Sequence, residues 1–275
     1  MNLLQKLLNK INRRILNLSL WVIKNHIQKQ KGLFIYTYNR ELDKLEPITW
    51  KARGITFSKK GDKQLTNDWD NINKIIDYSG KIVVDIGANL GLTPRFFAKK
   101  ASLVYGIEPH PDNYRFLLDQ IKIRKLTNIK TYECAISDFN GNAKFYNRQS
   151  HGIHSLGVHN KGKILSSFDV KVISLDEFWK KEINEKIGLL KIDVEGFEAD
   201  VLQGAKYLLS NKLIDAVIFE FSPRIHKLRK IDTYLPINIL LEHGYEVLTT
   251  DGDVFKISNS DQIKICDLIA LPRKR

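Results

Sequence analysis

Apolar positions recur along the chain with two periods, and the changes of period mark the elements. Residues 1–31 place Leu3, Leu4, Leu7, Leu8, Ile11, Ile15, Leu18 and Val22 at helical spacing, with Lys, Arg and Asn on the other face. Residues 32–66 read as short strands and turns (GLFIYTY, GITFS, KKGD). Asn67 or Asp68 can cap a helix that carries Trp69, Ile72, Ile75 and Ile76 on one face. From there the pattern alternates. KIVVDIG, SLVYGIE, IKTYECAI, IGLLKID and IDAVIFEF have the near-continuous apolar character of strands buried on both faces. Helices are predicted around TPRFFAKKA, from about Asp112 to Arg124, across Glu198–Leu209 and near Pro236–Glu242, and GYEVLTT and KICDLIALP close the chain. Pro94 falls in the first turn of its helix, where the missing N–H costs nothing. An irregular insertion spans about 137–180. Buried strands separated by amphipathic helices predict an α/β fold, a doubly wound and mostly parallel sheet. Its parts are an amphipathic helix over 1–31, a β-rich lead-in over 32–66 and a main domain over 67–275.

Composition changes this picture at one end only. With 43% hydrophobic and 27% charged residues, the chain is that of an ordinary globular protein. The net charge of +13 is unevenly placed: residues 1–40 carry Lys6, Lys10, Arg13, Arg14, Lys24, Lys29, Lys31 and Arg40, and no acid precedes Glu41. The longest apolar run there, Ile15 to Ile23, is interrupted by Asn17 and Ser19 and falls short of the roughly 20 residues a spanning helix needs. No small-residue cleavage site follows it. Two placements of the segment stay open. It packs on protein, or it lies on an anionic membrane surface with Trp21 at the interface. The second would make this a cytoplasmic protein peripheral to the inner face of a membrane. Cys134 and Cys266 lack metal-site spacing and fit a reduced, cytosolic interior.

The chemistry begins at KIVVDIGANLG. A buried strand running into Gly87-x-Asn89-x-Gly91 allows a tight turn and close backbone approach of a ligand, ahead of the free N–H groups of the next helix. The series departs from G-x-G-x-x-G, and Asp85 would repel a pyrophosphate while suiting a cationic amino group or a sulfonium. Glu108 ends the second strand, 17 residues after Gly91, where a carboxylate can accept both hydroxyls of a ribose. Phosphate avoided, ribose held and positive charge tolerated together describe S-adenosyl-L-methionine. Each residue taken singly also fits a plain βα turn, with Asp85 as a capping acid and Glu108 at the surface.

VDIGANLG, VYGIEPHPDNYRFL, AISDFNG, SLDEF, LLKIDVEGFEADVLQGA and IFEFSP follow in the order seen in the FkbM family of S-adenosylmethionine-dependent methyltransferases, which the chain resembles over about residues 45–270. The resemblance implies a seven-stranded Rossmann-like sheet with one antiparallel strand. It implies that Asp85, Gly87, Asn89 and Gly91, with Ala88 between them, line the amino-acid end of the cofactor. Glu108 would hold the ribose, and Ala135, Ile136 and Ser137 would flank the adenine. It also implies O-methylation.

Methyl transfer to oxygen needs positioning and the removal of one proton. Asp193, after the fourth strand in KIDVEG, is the first candidate to accept that proton or orient the acceptor. Glu195 is a second candidate, or else an acid favoured in a helix's first turn. Glu220, ending the fifth strand, points to the same rim. The insertion RQSHGIHSLGVHNKGK carries His151, His154 and His159; His154 resembles the family's active-loop position, where an imidazole could act as base. Its histidine spacing matches no tight metal site, so no metal is expected. Two other functions compete. A nucleic-acid methyltransferase fits the +13 charge, but Asp193-Val194-Glu195-Gly196 stands where an Asn/Asp-Pro-Pro-aromatic run serves base methylation, so nucleic acid is a disfavoured partner. A catalytically silent cofactor-binding or membrane-docking protein would use the basic helix as its arm.

Overall fold

A computed structural model describes residues 69, 72–148, 156, 164–257 and 265–273, and the backbone of 36–39 and 44–47. The chain separates into two units, Met1–Leu65 and Thr66–Arg275. In the first, β1 (Tyr36–Asn39) and β2 (Lys44–Pro47) form an antiparallel hairpin with Tyr36 opposite Pro47. The amphipathic segment 1–31 lies outside the described residues.

The second unit is built on a seven-stranded sheet. Its strands are β3 (Ile82–Ile86), β4 (Leu103–Ile107), β5 (Ile129–Tyr132), β9 (Ile187–Ile192), β10 (Val217–Phe221), β11 (Tyr245–Thr249) and β12 (Cys266–Pro272), in the order β11-β12-β10-β9-β3-β4-β5. β12 alone runs against its neighbours, antiparallel to β10 and β11. Every residue of β3 and β9 is buried, as the apolar runs predict for strands covered on both faces. The cover consists of α1 (Leu92–Phe97), α2 (Pro111–Ile123), α3 (Leu175–Phe178) continuing into a π turn at Trp179–Ile183, α4 (Glu198–Gln203), α5 (Lys206–Ser210), α6 (Pro223–Arg229) and α7 (Leu235–Glu242). Val84, Leu190 and Phe219 from the sheet share one core with Val201, Leu208 and Leu240 from the helices, all fully buried. Residues 72–75 are helical, and Trp69, Ile72 and Ile76 are buried, with Trp69 edge-on to Phe97 at 4.9 Å between ring centroids.

Three expectations are corrected. IKTYECAI is two strands: β5 ends at Tyr132, and β6 (Ala135–Ser137) joins a separate three-stranded sheet, β6-β8-β7. An apolar run records burial but not a change of pairing partner. Within the insertion at 137–180, β7 (Gly141–Arg148) and β8 (Ile164–Ser174) form an antiparallel hairpin with a core of Ala135, Phe145, Val170 and Val172. The helix expected over Glu198–Leu209 is broken between α4 and α5. A Cβ on Gly204 would stand 2.0 Å from the Ser137 carbonyl oxygen, so the backbone passes β6 where only glycine fits. The Asp176 N–H donates to the Gly204 carbonyl, and the Asp176 carboxylate accepts from the N–H groups of Tyr207 and Leu208, capping α5.

Candidate functional site

From β3 the chain crosses to β4 on one side, and it later returns to β9 on the other. This is a switch in strand order, beyond whose carboxyl ends ligands bind in open α/β sheets. A cleft opens there. It is lined by Gly87 and Asn89 after β3, Glu108 after β4, Ala135 and Ile136 of β6, Asp193, Val194 and Glu195 after β9, and Phe145 and Leu156 from outside the main sheet. Gly87 has φ 80°, and a Cβ on it would lie 1.8 Å from the Asp193 carbonyl oxygen. The Asp193 N–H donates to the Ile86 carbonyl at 3.0 Å. The two strand-end turns therefore pack backbone to backbone.

Glu108 is buried, yet both its oxygens are occupied by only one backbone donor each: the Asn89 N–H to Oε2 and the His110 N–H to Oε1, both at 2.8 Å. Burial pushes its carboxyl up to about 7, against the lowering pull of those N–H groups and of the Asn113 side chain. A carboxylate has about four acceptor positions, so with these three donors on it one remains for a ligand hydroxyl. Ala135, Ile136 and Phe145 give the same cleft an apolar stretch against which an aromatic base could stack.

Four residues expected at the cofactor, Asp85, Ala88, Gly91 and Ser137, are not among those that line the cleft. Asp85 is fully buried; one oxygen accepts from the Thr93 hydroxyl, and the other is 3.2 Å from the Lys191 ammonium. Its charge is thus engaged inside the sheet and does not face the cleft. Ala88 is buried beside Gly106. Gly91 precedes α1 with φ 81° and packs on Leu117. Ser137 is buried, with its hydroxyl donating to Asp138. Adjacency to a motif does not say on which side of a strand end a side chain emerges.

At the other end of the cleft, Asp193 keeps 40% of its side chain exposed, and its Oδ2 is 3.2 Å from Lys191. Glu195 lines the cleft from a left-handed backbone conformation (φ 58°). Burial, with Glu220 and Asp193 nearby, pushes its carboxyl up to about 9. It precedes α4 rather than lying in its first turn, and the N–H groups of Val194 and Gly196 are satisfied by Glu198 Oε1. Glu220 accepts from the Ser222 hydroxyl at 2.9 Å, and burial and Asp193 push it up to about 7. It neighbours the cleft without lining it. His154, with His151 and His159, lies outside the described residues. Among the described residues, no group of three or more His, Cys, Asp or Glu is arranged to hold a metal ion.

The 194–197 turn is anchored from below by residues that sequence patterning did not single out. The Arg229 guanidinium bonds both oxygens of Asp200, donates to the Gly196 carbonyl and stacks 3.8 Å from the Phe197 ring centroid. His226 Nε2 is 3.6 Å from Glu198 Oε2, both side chains fully buried. Lys191 was visible only as one charge in the apolar run LLKID. Asn113, on the first turn of α2, carried no signal of its own.

The methyltransferase FkbM domain matches residues 85–247. Among curated proteins, the chain is 27% identical over 160 residues to the hexuronic acid methyltransferase AglP of Haloferax volcanii, covering 58% of this chain and 64% of that protein. It is 26% identical over 143 residues to Methyltransferase 1 of Beauveria bassiana, covering 44% of this chain and 57% of that protein. These matches span less than two thirds of either relative's own length. Among solved structures, methyltransferase FkbM from Methylobacillus flagellatus aligns at 17% identity and a TM-score of 0.48, over 71% of this chain and 45% of that one. SMU.1697c from Streptococcus mutans, a putative methyltransferase in complex with SAH, aligns at 11% identity and 0.46, over 75% and 96%. With the FkbM domain matched across more than half of its 275 residues, the chain belongs to the FkbM family of S-adenosylmethionine-dependent methyltransferases.

Proposed function

We propose that the protein transfers a methyl group from S-adenosylmethionine to a hydroxyl of a sugar, glycan or related small-molecule acceptor. One observation carries the reading: a single cleft holds Glu108, buried yet with acceptor capacity left for a ligand hydroxyl, and the half-exposed carboxylate of Asp193. The residues present fit the cofactor. Glu108 would take the ribose hydroxyls, Ala135, Ile136 and Phe145 the adenine, and Gly87 with Asn89 the amino-acid end. Bound there, S-adenosylmethionine supplies an electrophilic methyl group. Asp193 would orient the acceptor hydroxyl and take up its proton as the oxygen–methyl bond forms and the sulfur–methyl bond breaks, with S-adenosylhomocysteine as the leaving group. Glu195, driven toward its neutral form, donates a hydrogen bond to the acceptor. Glu220 acts from behind, through Ser222 and its effect on Glu195. His154 is a further proposed base, on a segment outside the described residues.

The sugar acceptor draws on AglP, which is named for hexuronic acids. Residues 1–31 are proposed to rest on an anionic membrane at the cytoplasmic face, which would bring a lipid-linked glycan within reach. Among the described residues, no helix is long and apolar enough to cross a membrane.

The test is transfer of labelled methyl groups from S-adenosylmethionine to a panel of hexuronic acids, neutral saccharides, lipid-linked glycans and RNA. Label in a saccharide, lost on Asp193→Asn with affinity for S-adenosylhomocysteine retained, is the expected result. Label in RNA alone would favour the nucleic-acid reading. Cofactor binding with no transfer to any pool would favour a silent binding protein.

A further inference from the structure

We infer that Lys191 is a positioning residue, whose ammonium, clamped between Asp85 and Asp193, holds one oxygen of the Asp193 carboxylate inward so that the other faces the cleft. The inference rests on the proposed role of Asp193. Lys191 lies in the centre of the parallel sheet, on β9, with 9% of its side chain exposed. A lysine is almost never so buried unless paired, because an unpaired ammonium in that environment is strongly disfavoured. Its pairing is double. Nζ is 3.2 Å from Asp85 Oδ1 and 3.2 Å from Asp193 Oδ2.

The register explains the clamp. Lys191 stands directly opposite Asp85 across the β3–β9 ladder, and Asp193 follows two residues later on the same side of the strand. The second oxygen of Asp85 is taken by the Thr93 hydroxyl. Asp85 is thus fully buried, hydrogen-bonded through one oxygen and ion-paired through the other, and serves as the inner end of the clamp. Burial alone would lower the proton affinity of Lys191, but Asp193 and Asp85 outweigh it and hold the ammonium above the ordinary lysine value. The half-exposed member of the triad, Asp193, is the one that lines the cleft.

A purely structural role would have Lys191 neutralise Asp85 and nothing more. Asp85→Asn combined with Lys191→Met separates the two, because it removes the buried pair together and leaves Asp193 untouched. Crystal structures of the wild-type and doubly substituted proteins with S-adenosylhomocysteine give the direct readout. The expected result is an Asp193 carboxylate that has rotated out or occupies more than one orientation, with affinity for S-adenosylhomocysteine within about threefold of wild type. Turnover on the acceptor labelled in the transfer assay should fall roughly 100-fold in kcat with the KM for S-adenosylmethionine little changed, as expected when a reacting group is misplaced by about 1 Å. An Asp193 carboxylate that superposes on the wild type overturns the proposal. Asp85→Asn alone should leave Asp193 in place; movement equal to that in the double variant also overturns it. Should the double variant not fold, the wild-type protein decides. The protected ammonium of Lys191, observed by 15N NMR, should shift on Asp193→Asn, and an unchanged signal sinks the clamp. Full activity of Asp193→Asn with Asp193 displaced in the double variant would instead refute the proton-acceptor role and leave the clamp standing.

Discussion

Glu108 is held by two amides while burial brings its proton affinity to about 7, so its charge is poised in the physiological range. Its folded value lies above the ordinary glutamate value of 4.5, so its contribution to stability is full below about pH 4.5 and is lost as pH rises through about 7. The span corresponds to something on the order of 3 kcal/mol. Wild-type protein should therefore lose more stability between pH 5 and 8 than Glu108→Gln does, as measured by urea denaturation at each pH. Ligand hydroxyls donate to the ionised form, so affinity for S-adenosylhomocysteine should strengthen as pH rises toward 8. Glu108→Gln should weaken it at least about tenfold by calorimetry, since one charge-assisted bond is worth roughly 1.5–3 kcal/mol. Gly87 and Glu108 were readable in the sequence because each ends an apolar run, where a strand's last residues meet the cleft. The pairing of Asp85 with Lys191 was not readable because each is defined by the other, across a ladder that joins positions 106 residues apart in the chain.

At the level of elements, the 194–197 turn depends on α6 more than on its own strand. Arg229 carries the Asp200 pair, the Gly196 carbonyl and the Phe197 ring with only 10% of its side chain exposed. Arg229→Ala leaves Asp200 unpaired in a partly buried site and should destabilise the protein by about 3 kcal/mol, read as a lower urea midpoint at unchanged slope. The main strands were legible because full burial makes them continuously apolar. α6 was not: its seven residues PRIHKLR open with proline after IFEFS and contain four basic side chains, so they resemble a solvent loop. The β7–β8 hairpin was missed because polar residues such as Asn142, Lys144, Ser166, Ser167, Asp169 and Lys171 break up its apolar positions, and its small core takes only a few residues from it, among them Phe145, Val170 and Val172.

On the scale of the molecule, one wall of the cleft belongs to that hairpin and not to the main sheet. Phe145, opposite Phe168 with ring centroids 5.6 Å apart, presents its face beside Ala135 and Ile136. Phe145→Ala should weaken S-adenosylhomocysteine binding about tenfold through lost aromatic contact and, because Phe145 is also buried in the core of the small sheet, lower the thermal transition by roughly 10 °C. If residues 1–31 dock on a bilayer, full-length protein floats with anionic vesicles and a chain beginning at residue 32 does not; failure of the intact chain to float removes the anchor. A different consequence follows from the placement of β12, residues 266–272, between β10 and β11. A nascent chain emerging from the ribosome exposes the unsatisfied edges of both neighbours until Pro272 has been made. Cotranslational folding of the sheet must wait for that late strand, and chaperones have the whole of this interval in which to engage it.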